Sequence, residues 1–186
     1  SLHCKLTMSK KKIEEFSGVS IINRDVFPSE LGSFSVLFDQ SIKFGSNFYQ
    51  DSISIIKHSH TIKGMHFQSG NFAQAKLVTI LQGGIIDFFV DLRKSSSTFL
   101  DYGSVELNTE NNDILLIPKG FAHGYFTVSK DTIVNYKLDA PYSPDNEFTL
   151  NWNDPIIGIK WPEVKNVHVS PKDQAGLSLS EVQNKL

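Results

Sequence analysis

Four side chains have types and spacing that suit acid–base chemistry. His66 lies in "IKGMHFQ", behind a glycine and before an aromatic, and an imidazole of ordinary pKa near 6.5 can act as a base at neutral pH. Lys76 follows in "AQAKLVTI", where a long cation interrupts small and apolar residues. His123 sits in "IPKGFAHGYF", a turn shaped by proline and glycine, and Tyr136 in "IVNYKLDAPY". A base, a fixed cation and a weak acid are the parts needed to take a proton alpha to a carbonyl, hold the enolate and return a proton. Each also has an ordinary structural reading. A strand histidine is commonly a hydrogen-bonded core residue, a strand lysine reaches solvent, and a tyrosine can pack with its hydroxyl at the core edge.

Strands must carry these residues. From Gly45 to Tyr142 short runs rich in Ile, Val, Phe and Thr alternate with Gly, Ser, Asn and Asp, the pattern of an all-β domain. "NFYQDSISIIKH", "AKLVTILQ", "GIIDFFVDLR", "GSVELN", "DILLIP", "GYFTVS" and "TIVNYKLD" each read as a strand. Several are apolar throughout, which calls for cover on both faces by a second sheet or a second subunit. Short helices are expected only at "SKKKIEEF" and "SPKDQAGLSLSEVQNKL". "PYSPDNEFTLNWNDPIIGIKWPEVK" reads as an ordered loop packed on the barrel. The fold expected is a β-sandwich or jelly-roll barrel of eight or more strands, in one domain over residues 1–186; Ser1–Thr7, ahead of Met8, are set aside as a candidate expression remnant.

Bulk properties narrow the partners. Net charge is −2, from 18 basic and 20 acidic residues, and no long basic run is present, so no nucleic-acid partner is expected. A single cysteine, Cys4, and the lack of a signal-peptide core or a spanning apolar run lead to the expectation of a cytoplasmic protein with no membrane partner.

From about Gln50 to Asp173 the chain resembles the dTDP-4-dehydrorhamnose 3,5-epimerase family, cupin-like epimerases of nucleotide-linked 4-keto-6-deoxy sugars. The resemblance rests on "KGMHFQ", "AQAKLVTILQGGIIDFFVDLRKSSSTF", "VELNTEN", "LLIPKGFAHGYFTVS", "YKLDAPYSP" and "WNDPIIGIKWP", in the family's order and near its spacing. It implies a cupin-like jelly roll and an isomerase of deoxysugar biosynthesis that works without metal or redox cofactor. It also implies a homodimer and a nucleotide-diphosphate sugar as substrate. Residue by residue, it makes His66 the base, Asp173 the carboxylate that orients it, Lys76 the cation at the C4 oxyanion and Tyr136 the acid on the opposite face. His123, Gln50 and Lys63 are implied to bind substrate, Asp87 to be a buried polar partner of the site, and Tyr142 to stack on the base or sugar end of the nucleotide.

The chain departs from the family's pattern at Lys63 and Leu31, where the family carries arginines, and at Ala75, where it carries glycine; residues 31–62 align poorly. A lysine offers phosphate a point charge where arginine offers a bidentate fork. These departures direct the expectation to a non-thymidine nucleotide, GDP first, on a hexose or heptose, with Lys43, Asn47, Lys57, His58 and His60 as sources of compensating contacts. An epimerase acting at C3 alone or C5 alone, a ketoisomerase, or a non-catalytic sugar-nucleotide module remain alternatives. So does a metal-dependent cupin, on the strength of His58, His60 and His123, although no glutamate follows His60 at the spacing that motif expects.

Overall fold

The computed structural model describes residues 9–13, 15–39 and 44–186. Among them run fourteen strands: β1 (Ser9–Lys12), β2 (Ser20–Asn23), β3 (Val26–Ser29), β4 (Gly32–Ser35), β5 (Gln50–Ile56), β6 (Thr61–Gln68) and β7 (Lys76–Gln82), then β8 (Gly84–Asp91), β9 (Tyr102–Asn108), β10 (Asp113–Ile117), β11 (Phe121–Thr127), β12 (Thr132–Leu138), β13 (Glu147–Thr149) and β14 (His168–Val169). Two short helices close the chain, α1 (Pro171–Gln174) and α2 (Leu179–Gln183).

Two main sheets form. The first has the order β1-β2-β10-β7-β12-β5, the second β13-β6-β11-β8-β9 with β14 added in parallel to β6, and β3–β4 is a separate hairpin. Their inner faces enclose a core that includes Phe16, Val78, Ile80, Phe89, Leu107, Leu115, Phe121, Tyr125 and Val134. This is the expected cupin-like jelly roll.

The strands that read as apolar throughout are covered by the chain itself. β8 and β11 are buried along nearly all or all of their length. Phe88, Val90, Ala122 and Phe126 face outward into a second core built with Leu150, Ile157, Leu179 and Val182, against which Trp152 and Trp161 pack. The aromatic-rich segment after Tyr142 is therefore ordered cover, as its composition suggested. On the outer side of the first sheet, Ile22, Leu77, Ile114 and Leu116 are capped by Phe38, Phe44 and Phe48.

One expectation is corrected. "SKKKIEEF" does not begin a helix; Ser9–Lys12 pair antiparallel with Ser20–Asn23 as an edge strand. The modest helix preference of lysines yields to the backbone pairing offered by the free edge of β2.

Candidate active site

His66, Lys76, His123, Tyr136, Gln50, Lys63 and Tyr142 line one cleft of ≈ 290 Å³ between the two sheets. Strand register explains the convergence. On the first sheet Lys76 lies beside Leu138, Tyr136 between Val78 and Ser52, and Gln50 beside Leu138 on its other side. Alternation along β5 sends Gln50, Ser52 and Ser54 inward while Ile53 and Ile55 point out. On the second sheet His66 pairs with His123, and Tyr125 lies between Lys63 and Asp87.

The glycine of "KGMHFQ" has a steric role. Gly64 has φ +124°, and a Cβ there would lie 2.5 Å from Gly124 Cα; the reciprocal Cβ on Gly124 would lie 2.5 Å from Lys63 O. Two glycines let β6 and β11 approach at the register shift between His123 and Tyr125, which sets the direction of His66.

His66 Nε2 donates to Asp173 Oδ1 at 2.6 Å, which leaves Nδ1 as the basic nitrogen. Asp173 is delivered from far along the chain. β14 pairs with Thr61 and Ile62 of β6, and Ser170 then caps α1, accepting from Asp173 N and donating to Asp173 Oδ2. Burial opposes ionisation of this carboxyl, but His66, Ser170 and the Gly64 N–H outweigh it and hold its pKa below the usual range.

Across the cleft, Lys76 Nζ donates to the carbonyl of His66 at 3.3 Å. Burial pulls its pKa down to about 8, while the charges of Asp87 and Glu147 work against that fall. Behind it Asp87, fully buried, accepts from His123 Nδ1 at 3.1 Å through Oδ1. Burial raises the Asp87 pKa and lowers that of His123, with each partner's charge opposing the other's shift. Burial also raises the Tyr136 phenol, and the negative charge of Glu147 adds to it, so Tyr136 stays protonated at neutral pH.

All nine residues picked from the sequence meet at this site, seven as lining and two, Asp87 and Asp173, as carboxylates behind the histidines. Lys63 donates to Ser54 Oγ at 3.2 Å, spanning the gap between the sheets. Sequence reasoning missed Ser52, Ser54, Gln68, Gln74, Tyr125 and Glu147, which also line the cleft. The period-two spacing of Gln50, Ser52 and Ser54 was the signal available for the serines. Tyr125 was hidden in an apolar run, and Glu147 in an aperiodic loop. Glu147 accepts from both Tyr142 Oη and Lys172 Nζ, and Gln68 accepts from Ser143 N, which together fix Tyr142 at the exposed rim.

The three histidines of the metal-cupin alternative are not brought together. His58 stacks on His168 at 4.8 Å, and His60 stacks on Phe126, on the face of β11 opposite to His123. Among the described residues no group of three or more His, Cys, Asp or Glu has the arrangement to hold a metal ion. Lys43, named as a source of compensating contacts, lies outside the described residues, and Leu31, which stands where the family carries an arginine, is fully exposed at the tip of the β3–β4 hairpin.

The family model described as dTDP-4-dehydrorhamnose 3,5-epimerase matches residues 14–181. The curated dTDP-4-dehydrorhamnose 3,5-epimerase of Sinorhizobium fredii is 43% identical over 133 residues, covering 72% of this chain and 68% of the relative. Among solved structures, the dTDP-6-deoxy-D-glucose-3,5-epimerase of Legionella pneumophila in complex with dTDP-4-keto-L-rhamnose superposes with a TM-score of 0.88 at 32% identity, over 96% of each chain. The dTDP-4-dehydrorhamnose 3,5-epimerase of Bacillus anthracis, with TDP and pyrophosphate bound, gives a TM-score of 0.88 at 36% identity, over 93% of this chain and 100% of that one. With this fold and this cleft, the chain belongs to the dTDP-4-dehydrorhamnose 3,5-epimerase family.

Proposed function

We propose that the cleft epimerises C3 and C5 of a dTDP-linked 4-keto-6-deoxy sugar with His66 as base and Tyr136 as acid. As a family member the chain is an isomerase acting on a nucleotide-diphosphate-linked 4-keto-6-deoxy sugar. The observation that carries the residue assignment is the His66–Asp173 pair facing Lys76 and Tyr136 across one cleft. His66 Nδ1 takes the proton from the carbon beside the ketone, and the C–H electron pair moves through the new C–C double bond onto the C4 oxygen. The Lys76 ammonium meets that developing negative charge. Asp173 supports the imidazolium formed, and the Tyr136 O–H then protonates the carbon from the other face; the phenolate takes a proton from solvent and the imidazolium releases one to it, which restores both groups. The carbon is inverted with no net redox change.

The nucleotide in this reading is dTDP and not the GDP expected from Lys63 and Leu31. The relatives named above carry dTDP or TDP in their names. Calorimetric titration with dTDP, GDP, UDP and CDP tests it; GDP binding tightest would reverse the choice. We also propose that the protein is a homodimer.

Incubation of a dTDP-linked 4-keto-6-deoxyhexose in D2O, read by mass spectrometry, tests the activity. Wild type incorporates two deuteriums, and His66→Asn slows incorporation by about 100- to 10,000-fold, the span of general-base loss. Undiminished uptake by that variant would remove His66 from the mechanism.

A further inference from the structure

Tyr125 stands in the cleft with no part in the proton transfers just described. Its ring belongs to the inner core with Val78, Ile80 and Val134, and its hydroxyl reaches the cleft wall. Tyr125 Oη donates to Ser54 Oγ at 3.5 Å, and Lys63 Nζ donates to the same oxygen at 3.2 Å. Two residues of the second sheet therefore meet at one serine of the first. A serine oxygen accepts two hydrogen bonds and donates one. With both acceptor positions used, the Ser54 O–H is left to donate into the cleft.

The place of this contact along the barrel indicates what it can meet. Down β5 the inward residues are Gln50, Ser52, Ser54 and then buried Ile56, so Ser54 is the last polar rung before the core. Ser52 faces Tyr136, and Ser54 faces Val134 one rung further in. Tyr142 marks the other, exposed end. A sugar whose nucleotide lies at the Tyr142 rim enters with C1 toward solvent and the opposite side of its ring, C3 to C5, toward Ser54. The C4 oxygen belongs to Lys76. Of the two remaining substituents at that depth, a C5 methyl gains nothing from two hydroxyls, whereas a C3 hydroxyl can both accept from and donate to them.

We infer that Tyr125 and Ser54 form a specificity-determining contact that holds the C3 hydroxyl, so that C3 as well as C5 is presented to the base. This inference rests on the epimerase reading above. Burial pushes the Tyr125 phenol far above its ordinary pKa, which keeps it a donor throughout the working pH range. The long 3.5 Å bond to Ser54 is one that a sugar hydroxyl between the two groups can replace.

The test is the position of exchange. A dTDP-linked 4-keto-6-deoxyhexose bearing a C3 hydroxyl is incubated in D2O with wild type, Tyr125→Phe and Ser54→Ala, and deuterium at C3 and C5 is followed separately by NMR. Each variant should lower the C3-to-C5 exchange ratio by about tenfold, the scale of one good hydrogen bond. An unchanged ratio in both variants, whether the overall rate falls or not, overturns the inference and leaves the epimerase reading intact. If Tyr125→Phe does not fold, as judged by circular dichroism, Ser54→Ala alone decides through the same ratio. Wild type that exchanges at neither carbon removes the epimerase reading and this contact with it.

Discussion

The titration of Lys76 sets a limit on the working range of the cleft. Burial pulls its pKa down to about 8, and the ammonium form is the one that stabilises an oxyanion. Because the folded value lies below the ordinary lysine value, the charge is present under pH 8 and lost as pH rises through it. The rate of deuterium incorporation should therefore fall on the alkaline side with a midpoint near pH 8, and Lys76→Arg should move that limb upward or remove it, since guanidinium does not titrate there. An unchanged alkaline limb in Lys76→Arg would assign the titration elsewhere. Tyr136→Phe separates removal from return of the proton: it should leave exchange at a carbon whose configuration is retained, as NMR of the recovered sugar would reveal. Full epimerisation by that variant would make Tyr136 a packing residue. At this scale the residue types of His66, Lys76, His123 and Tyr136 were legible, but each also had an ordinary structural reading, and their roles came only with the family resemblance; His123, read as part of a turn, lies within β11. Tyr125 and Ser54 were not, because a tyrosine in "GYFTVS" and a serine in "DSISI" look like ordinary strand residues until a second sheet is placed opposite them.

The site depends on how closely two strands can run. Gly64 and Gly124 meet with no room for a side chain, and Gly64 also holds φ +124°. Gly64→Ala should cost about 1–3 kcal/mol, the range of overpacked sites, which thermal melting would register as about 2–4 °C per kcal/mol for a chain of this length. A variant as stable as wild type would show that β6 and β11 can separate cheaply. β5 and β7 to β12 were readable from periodicity and β-branched content, and their observed limits fall within the runs named from sequence or up to three residues beyond. β1, β13 and β14 were not readable. They are two to four residues long and form only because a neighbouring edge offers them partners, which is information held by the fold and not by the segment.

For the whole molecule, the proposed dimer has a candidate face. β5 is the last strand of its sheet, and Ile53 and Ile55 point outward from it with 58% and 62% exposure. An apolar, unpaired edge of this kind is ordinarily covered. Ile53→Lys with Ile55→Lys should convert dimer to monomer in light scattering after size exclusion; a dimer that persists would place the interface elsewhere. Among the described residues no helix is long and apolar enough to cross a membrane. The resemblance read from sequence covered residues 50–173, and the family match extends over 14–181, so the terminal regions were recognised only by comparison.

The distance in sequence between His66 and Asp173 orders the making of the enzyme. The two are 107 positions apart, and the carboxylate arrives on a short turn docked by two residues of parallel pairing. A ribosome builds every strand of the barrel through β13 before the carboxylate is synthesised, so a nascent chain holds the proposed base without its partner. Such a half-made molecule also lacks Leu179 and Val182, which complete the cover over the outer faces of β8 and β11. In the proposed mechanism activity is thereby tied to translation reaching the last segment, which brings both the carboxylate that pairs with the base and the last of the outer cover.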